Sequence, residues 1–175
     1  DGADIFYNPV FLENLLRGGV EAVLVHEVLH CALQHIRRRA NRNNELWNFA
    51  ADIVVNGIIA ADGNFQLPLG AVRDPEIENF SVEEVYRILE RRGEIVPEDM
   101  VLDILPALFS NASDAAYWSR AVRESSMIAT LSDRGMGDMG VAFDRETSAA
   151  GNAQVDWRSE LWRQLVRTPC DFTNF

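Results

Sequence analysis

The 175-residue chain contains few cysteines and no long apolar run. Its two cysteines, Cys31 and Cys170, set no disulfide framework, so we expect a reducing, cytoplasmic location. No apolar run approaches the roughly 20 residues that span a bilayer. The first residues show neither the basic nor the apolar region of a signal peptide. These absences disfavour membrane proteins and disulfide-rich secreted domains.

Basic residues are also scarce, because 16 Lys and Arg stand against 27 Asp and Glu, for a net charge of −11. A surface of this sign repels phosphate backbones, so a nucleic-acid enzyme or binding protein is disfavoured. Hydrophobic residues make up 47% of the chain, which is ordinary for a globular protein. We therefore expect a soluble domain with a real core.

Histidine occurs only at His26, His30 and His35, and the first two belong to an HExxH motif. The motif lies in an apolar stretch that predicts one buried helix from Val20 to about Arg39. Histidines four residues apart share a helix face at about 6 Å along the axis, so both rings can bind one ion. Zn²⁺ accepts such ligands, and the glutamate beside the first histidine can take a proton from an activated water. The motif predicts His26 and His30 as zinc ligands and Glu27 as the general base.

Two residues compete to be the third ligand. His35 points about 180° away from His26 if the helix is unbroken. A second helix, predicted over 45–60, runs antiparallel to the first and carries Asp52 among apolar neighbours, where a carboxylate needs a strong partner. We favour Asp52 and keep His35 as the alternative ligand or as a residue that supports one. Asn56, one turn after Asp52, is expected to accept the N–H of a ligating histidine.

The remaining patterns predict a mostly helical (α+β) protein. Residues 3–7 favour a short edge strand, on which a peptide substrate can lie by strand addition. Ser81 and Glu84 form a capping box that opens a further helix, and Gly93 ends it. The basic residues 37–39 are interpreted as a solvated helix end.

The domain organisation follows from these elements. We interpret residues 1–95 as the core and residues 96–175 as a helical extension of the same domain. Glycines and the lack of periodicity near 134–154 favour a mobile loop.

Several segments together resemble a known family. The residues that carry the resemblance are Ile5-Phe6-Tyr7, HEVLHCALQH, Leu46-Trp47-Asn48, and Ala51-Asp52 with Asn56. The family consists of bacterial and phage HExxH proteins, most of them named metallopeptidases from the motif alone. Its domain precedes a von Willebrand A-like domain and is often paired with MoxR-type AAA+ ATPases.

The resemblance implies a zincin-like fold and an intracellular zinc peptidase, with His26 and His30 as ligands and Glu27 as the base. In the similar gluzincins the third ligand is an acid on a following helix, and Asp52 fills that place here. The implied partners are a peptide or protein substrate, a MoxR-type ATPase and a von Willebrand A-like domain beyond this sequence.

The predicted function is therefore hydrolysis of peptide bonds. The alternative is a zinc-stabilised interaction module that works with an ATPase and has latent or no peptidase activity. A zinc closed by four protein ligands would fit that alternative. Glu27 favours the enzyme, because a scaffold has no need of that carboxylate.

Overall fold

The computed structural model describes residues 7–15, 17–97, 104, 112–131, 143 and 145–147. Within these residues the elements are α1 (Pro9–Glu13), α2 (Arg17–Ala32), α3 (His35–Arg38), α4 (Asn44–Asp62), α5 (Val82–Arg92) and α6 (Ala112–Leu131). No strand occurs in this part of the chain, which confirms a mostly helical protein. The predicted edge strand over 3–7 lies outside the described residues except for Tyr7, which is exposed and has no regular structure.

Helix α4 forms the centre of the core. Asn43 caps its start by accepting a hydrogen bond from the backbone N–H of Leu46 at 2.9 Å, and Gly63 ends it in the left-handed conformation. Most of its residues are buried because α4 packs against α2 and against α5. A helix buried on nearly every side is apolar all round. The exceptions in α4 are three buried polar residues at a spacing of four: Asn48, Asp52 and Asn56.

The helix predicted from Val20 to Arg39 is broken in two, so the prediction of one continuous helix is wrong. Helix α2 ends at Ala32, and Gln34 adopts the left-handed conformation (φ 56°, ψ 36°) before α3 begins. This conformation costs a non-glycine residue about 1–2 kcal/mol. The side chain of Gln34 offsets part of that cost by donating a hydrogen bond to Oγ of Ser119 on α6 at 2.7 Å. A tertiary contact therefore supports a break that no glycine or proline signals.

Helix α5 confirms the predicted capping box. The backbone N–H and the hydroxyl of Ser81 both donate to the Glu84 carboxylate, at 3.0 and 2.7 Å, and Gly93 ends the helix in the left-handed conformation. The connection from α4 to α5 contains turns and no helix or strand. It passes so close to α4 that a Cβ on Gly57 would lie 2.8 Å from Cβ of Glu78.

Helix α6 packs on α2. Within the stretch predicted as a glycine-rich loop, Phe143 and residues 145–147 are helical, and Phe143 and Glu146 are buried. No helix in the described part of the chain combines the length and apolar character that a bilayer crossing requires.

Candidate metal centre

Three potential ligands meet where α2 faces α4. The Nε2 atoms of His26 and His30, one helical turn apart, are separated by 2.9 Å. Oδ1 of Asp52 lies 3.4 Å from Nε2 of His30 and 3.8 Å from Nε2 of His26. The structure thus brings together the two motif histidines and the acid that the sequence favoured as their companion.

The spacing and chemistry of these atoms fit a zinc ion. Zinc–ligand bonds of about 2.0–2.1 Å at tetrahedral angles separate two ligand atoms by roughly 3.3 Å, and the three observed separations bracket this value. Across the described residues, His26, His30 and Asp52 form the group of histidine, cysteine and acidic side chains close enough to share an ion. A zinc ion held by these three residues would keep its fourth position for water or substrate, as in catalytic zinc sites.

Asn56 orients the ring of His26. Its Nδ2 donates to the carbonyl of Val72 at 2.9 Å, so its Oδ1 faces Nδ1 of His26 at 3.0 Å as an acceptor. The hydrogen of a neutral His26 therefore resides on Nδ1, and the lone pair resides on Nε2. The lone pair points at the position that a metal ion needs.

Asn48 orients the carboxylate of Asp52 in the same way. Its Oδ1 accepts from the backbone N–H of Ile104 at 2.7 Å, and its Nδ2 donates to Oδ2 of Asp52 at 3.1 Å. The other oxygen, Oδ1, is the one that faces the two histidines. The buried side-chain amides of Asn48 and Asn56, one turn before and one turn after Asp52, thus fix the orientation of the ligand side chains.

His35 lies behind His30 rather than beside the ligand atoms. Its Nδ1 is 3.2 Å from Nδ1 of His30, the ring nitrogen that does not face Asp52. The break at Gln34 turns the chain so that His35 is fully buried next to His30. The expectation that His35 points about 180° away from His26 assumed an unbroken helix and is therefore wrong. Trp47 fixes this turn, because its Nε1 donates to the carbonyl of His35 at 2.9 Å.

Burial keeps the imidazole rings of His30 and His35 neutral. Burial lowers the pKa of His30 well below its usual value, and the neighbouring His26 and His35 rings lower it further. Burial also lowers the pKa of His35, although the negative charge of the Glu146 carboxylate, 3.6 Å away, opposes the shift. Neutral imidazoles have a lone pair available, which metal binding requires.

Two charged residues that sequence reasoning missed meet behind His35. The Glu146 carboxylate is fully buried, with Oε1 at 2.8 Å from Nη1 of Arg38 and at 3.6 Å from Nε2 of His35. Arg38 also binds Glu83 through two hydrogen bonds of 3.0 and 2.6 Å. The interpretation of a solvated helix end is therefore wrong for Arg38, whose side chain is 9% exposed. No local pattern marks Glu146, because its backbone partner Val82 lies 64 residues earlier in the chain.

A groove of about 500 Å³ opens next to the centre. Among the described residues, its polar lining consists of four side chains at the centre, those of His26, Glu27, Asp52 and Asn56. The remaining walls are apolar or glycine: Phe11, Ala22, Val23, Leu67, Pro68, Leu69, Gly70, Ala71, Val72 and Pro97. Glu27 therefore lines the same space as two of the candidate ligands, His26 and Asp52.

Comparison with known proteins points in the same direction. Residues 1–99 match the model of a family described as "Putative metallopeptidase domain". This stretch contains all the candidate ligands, Glu27 and both supporting asparagines, whereas Glu146 lies beyond it.

A curated relative is an "Uncharacterized protein" from Thermotoga maritima, 34% identical over 67 residues. The aligned residues cover 37% of this chain and 17% of that protein, so the chain spans a small part of the relative's length. No solved structure matches the chain.

Proposed function

Because this chain belongs to the family of putative metallopeptidase domains, we propose that it is a zinc-dependent peptidase. One observation carries the proposal. The ligand atoms of His26, His30 and Asp52 lie close together, and Glu27 lines the same groove as His26 and Asp52. A metal group with an adjacent carboxylate and an open cleft is the arrangement that metal-assisted hydrolysis needs.

In this proposal His26, His30 and Asp52 hold the zinc ion. When bound, zinc supplies Lewis acidity, which lowers the pKa of a water molecule and polarises a substrate carbonyl. Glu27 accepts a proton from the attacking water and delivers it to the leaving amine. Asn56 and Asn48 orient His26 and Asp52 through the hydrogen bonds described above.

The groove supports a peptide substrate with an apolar side chain next to the scissile bond. Beyond the four polar residues of the centre, the described residues of its walls are apolar or glycine and carry no charge. Most small-molecule and peptide sites have this composition, with apolar walls and a few convergent polar groups. A hydrogen bond links the wall formed by residues 67–72 to the centre, because the Val72 carbonyl accepts from Nδ2 of Asn56.

Glu27→Gln tests the proposal directly. The amide fills the same space but accepts no proton at neutral pH, so we expect the variant to retain zinc and lose about 10²–10⁴-fold in the cleavage rate. Casein is a suitable broad substrate, and metal analysis of the same samples gives the zinc content. Glu21→Gln is the matched control, because Glu21 is an exposed glutamate of the same helix that does not line the groove.

Cleavage by Glu27→Gln at the wild-type rate contradicts the role of Glu27. A wild-type protein that binds zinc but cleaves neither casein nor an apolar peptide library favours the interaction module instead.

A further inference from the structure

We propose that Leu69, at the tip of a tight turn in the groove wall, determines substrate specificity by contacting an apolar side chain of the peptide. The inference rests on the proposed function and deepens it, because it names the residue that selects the substrate. It starts from a feature that the candidate metal centre does not explain. Leu69 is a leucine that is fully exposed to solvent and yet lines the groove.

The turn that presents Leu69 has a defined geometry. The backbone N–H of Ala71 donates to the carbonyl of Pro68 at 3.1 Å, which closes a β-turn over residues 68–71. Gly70, the third of its four residues, has a φ of 88°, whereas Leu69 does not have a positive φ. This combination is that of a type II turn, which favours glycine at the third position. Leu69 is therefore held at the second position, with its side chain open to solvent.

A hydrogen bond restrains this turn relative to the metal centre. Directly after the turn, the carbonyl of Val72 accepts from Nδ2 of Asn56 at 2.9 Å. Oδ1 of the same amide lies 3.0 Å from Nδ1 of His26, a candidate zinc ligand. One buried side chain thus joins the end of the turn to the centre. Leu69 can therefore select the side chain at one position relative to the scissile bond.

The other groove residues indicate which side chain Leu69 selects. Phe11 of α1 lines the same groove and is also exposed. The charged residues in the described lining, Glu27 and Asp52, are both acidic, and the whole chain carries a net charge of −11. An apolar side chain gains by removing these walls from water, whereas an acidic side chain loses its hydration and meets charge of its own sign. We expect leucine or phenylalanine at the selected position.

The first experiment finds the selected position. Zinc-loaded wild-type protein is offered alanine–glycine octapeptides in which a single leucine occupies each position in turn. We expect the highest kcat/KM with leucine at one position, and a lower value when asparagine, lysine or glutamate replaces that leucine. Cleavage that does not depend on the position of leucine, or that prefers lysine or glutamate, overturns the inference.

The second experiment combines a change in the protein with a change in the peptide. Leu69→Asn keeps the approximate shape of the side chain and makes it polar. We expect it to reduce kcat/KM for the leucine peptide about tenfold, through a higher KM, and to change that for the asparagine peptide by less than about twofold. Such non-additivity is expected of two groups in contact. Equal reductions for both peptides, or a lower kcat with an unchanged KM, overturn the inference.

Ile128→Asn is the matched control for Leu69→Asn. Ile128 is an exposed apolar residue of α6 and lies outside the described lining of the groove. We expect this variant to cleave both peptides as the wild type does. A loss confined to the leucine peptide in Ile128→Asn, equal to that in Leu69→Asn, overturns the inference.

Gly70→Ala tests the turn rather than the leucine side chain. The positive φ of Gly70 disfavours alanine, although an added Cβ would meet no atom within 4 Å. Gly63→Ala is the control, because Gly63 has a φ of 73°, equally open surroundings and a place at the end of α4. We expect KM for the leucine peptide to rise about threefold or more in Gly70→Ala only. Equal KM values in the two variants contradict the role of the turn.

A binding measurement separates this inference from the proposed hydrolysis. Fluorescein-labelled leucine and asparagine peptides are titrated against zinc-loaded Glu27→Gln protein, with and without Leu69→Asn, and followed by fluorescence anisotropy. We expect Leu69→Asn to weaken binding of the leucine peptide about tenfold. If this loss occurs but the wild type cleaves no peptide, the proposed hydrolysis is wrong and the inference stands. Leucine-peptide binding that is absent, or unchanged by Leu69→Asn, overturns the inference even where the wild type is an active peptidase.

Discussion

Single amide groups orient the ligands on both sides of the centre. Asn56 fixes the ring of His26, and Asn48 fixes the carboxylate of Asp52. Each asparagine is fixed in turn by a backbone group, the carbonyl of Val72 or the N–H of Ile104. The site is therefore preorganised by groups whose own hydrogen bonds are satisfied, which keeps the cost of metal binding low.

Asp52→Ala is expected to weaken zinc binding far more than His35→Ala. The first variant removes a candidate ligand and its negative charge, and leaves a dication among two histidines in a buried pocket. The second removes a ring that touches His30 on the nitrogen away from Asp52, which costs only about 10–100-fold in affinity. Chelator competition ranks the two variants, with the melting temperature of the metal-free proteins as the control for folding.

The opposite ranking means that His35 is the third ligand. Release of zinc by His35→Ala, together with retention by Asp52→Ala, contradicts the assignment of Asp52.

How well a site residue can be predicted from the sequence depends on how far along the chain its partners lie. The spacing of His26, Glu27 and His30 falls within one helical turn, so it can be interpreted without knowledge of the fold. Asp52 and Asn56 require only that a second helix packs antiparallel to the first. Glu146 depends on the turn at Gln34 and on a segment more than 60 residues away from its partner Val82. Tertiary contacts of that kind have no signature in one sequence.

At Gly57, helix α4 packs closely against the connection between α4 and α5. Part of the same connection, residues 67–72, lines the groove. A Cβ at this position would lie 2.8 Å from Cβ and 3.0 Å from Cγ of Glu78. Glu78 has little room to move, because Arg73 donates two hydrogen bonds to its carboxylate. The same connection carries Val72, which binds Asn56. Packing at Gly57 is therefore linked to the geometry of the centre.

Gly57→Ala is expected to destabilise the protein by about 1–3 kcal/mol, because overpacking outweighs the better helix propensity of alanine. Gly19→Ala is the matched control. Gly19 also lies within a helix, but a Cβ there meets Leu15 at an ordinary 3.6 Å. Urea unfolding of the metal-free proteins measures both. A Gly57→Ala variant more stable than the wild type contradicts the described packing.

The capping box of α5 makes a pH-dependent contribution. Hydrogen bonds from the hydroxyl and the backbone N–H of Ser81 lower the pKa of Glu84 below its usual value. A carboxyl with a lowered pKa stabilises the folded state above its unfolded pKa, and this contribution is lost as the pH falls through the folded pKa. Glu84→Ala is therefore expected to cost about 0.3–1 kcal/mol at pH 7, because solvent screens this exposed first-turn carboxylate, and progressively less below about pH 4.

Denaturant unfolding at several pH values, in the presence of a chelator, checks this expectation. Glu94→Ala is the control, because Glu94 is exposed and lies beyond the end of the helix. A cost of Glu84→Ala that does not change with pH contradicts the role of the charged cap.

The elements differ in how well the sequence predicts them. Local signals gave the start and end of α5, because its cap and terminal glycine satisfy groups within the helix itself. They missed the end of α2, since Gln34 adopts its conformation while bonded to Ser119 on α6. Helix ends made by side chains of the same segment are predictable, and those made by distant helices are not.

On the scale of the whole molecule, the family match and the site geometry agree with each other. The matched residues 1–99 contain α1 to α5 and the three candidate ligands. The partnership with a MoxR-type ATPase, the von Willebrand A-like domain and the cytoplasmic location stay predictions. So do the zincin-like fold and the division of the domain near residue 95.

The metal content of the purified protein is the most direct test of the central claim. Elemental analysis after zinc addition and dialysis is expected to give about one zinc per wild-type chain, because three ligand atoms converge on one position. His26→Ala and His30→Ala are expected to hold none, whereas Glu21→Gln is expected to hold as much as the wild type. A folded wild-type protein that retains no transition metal contradicts the account.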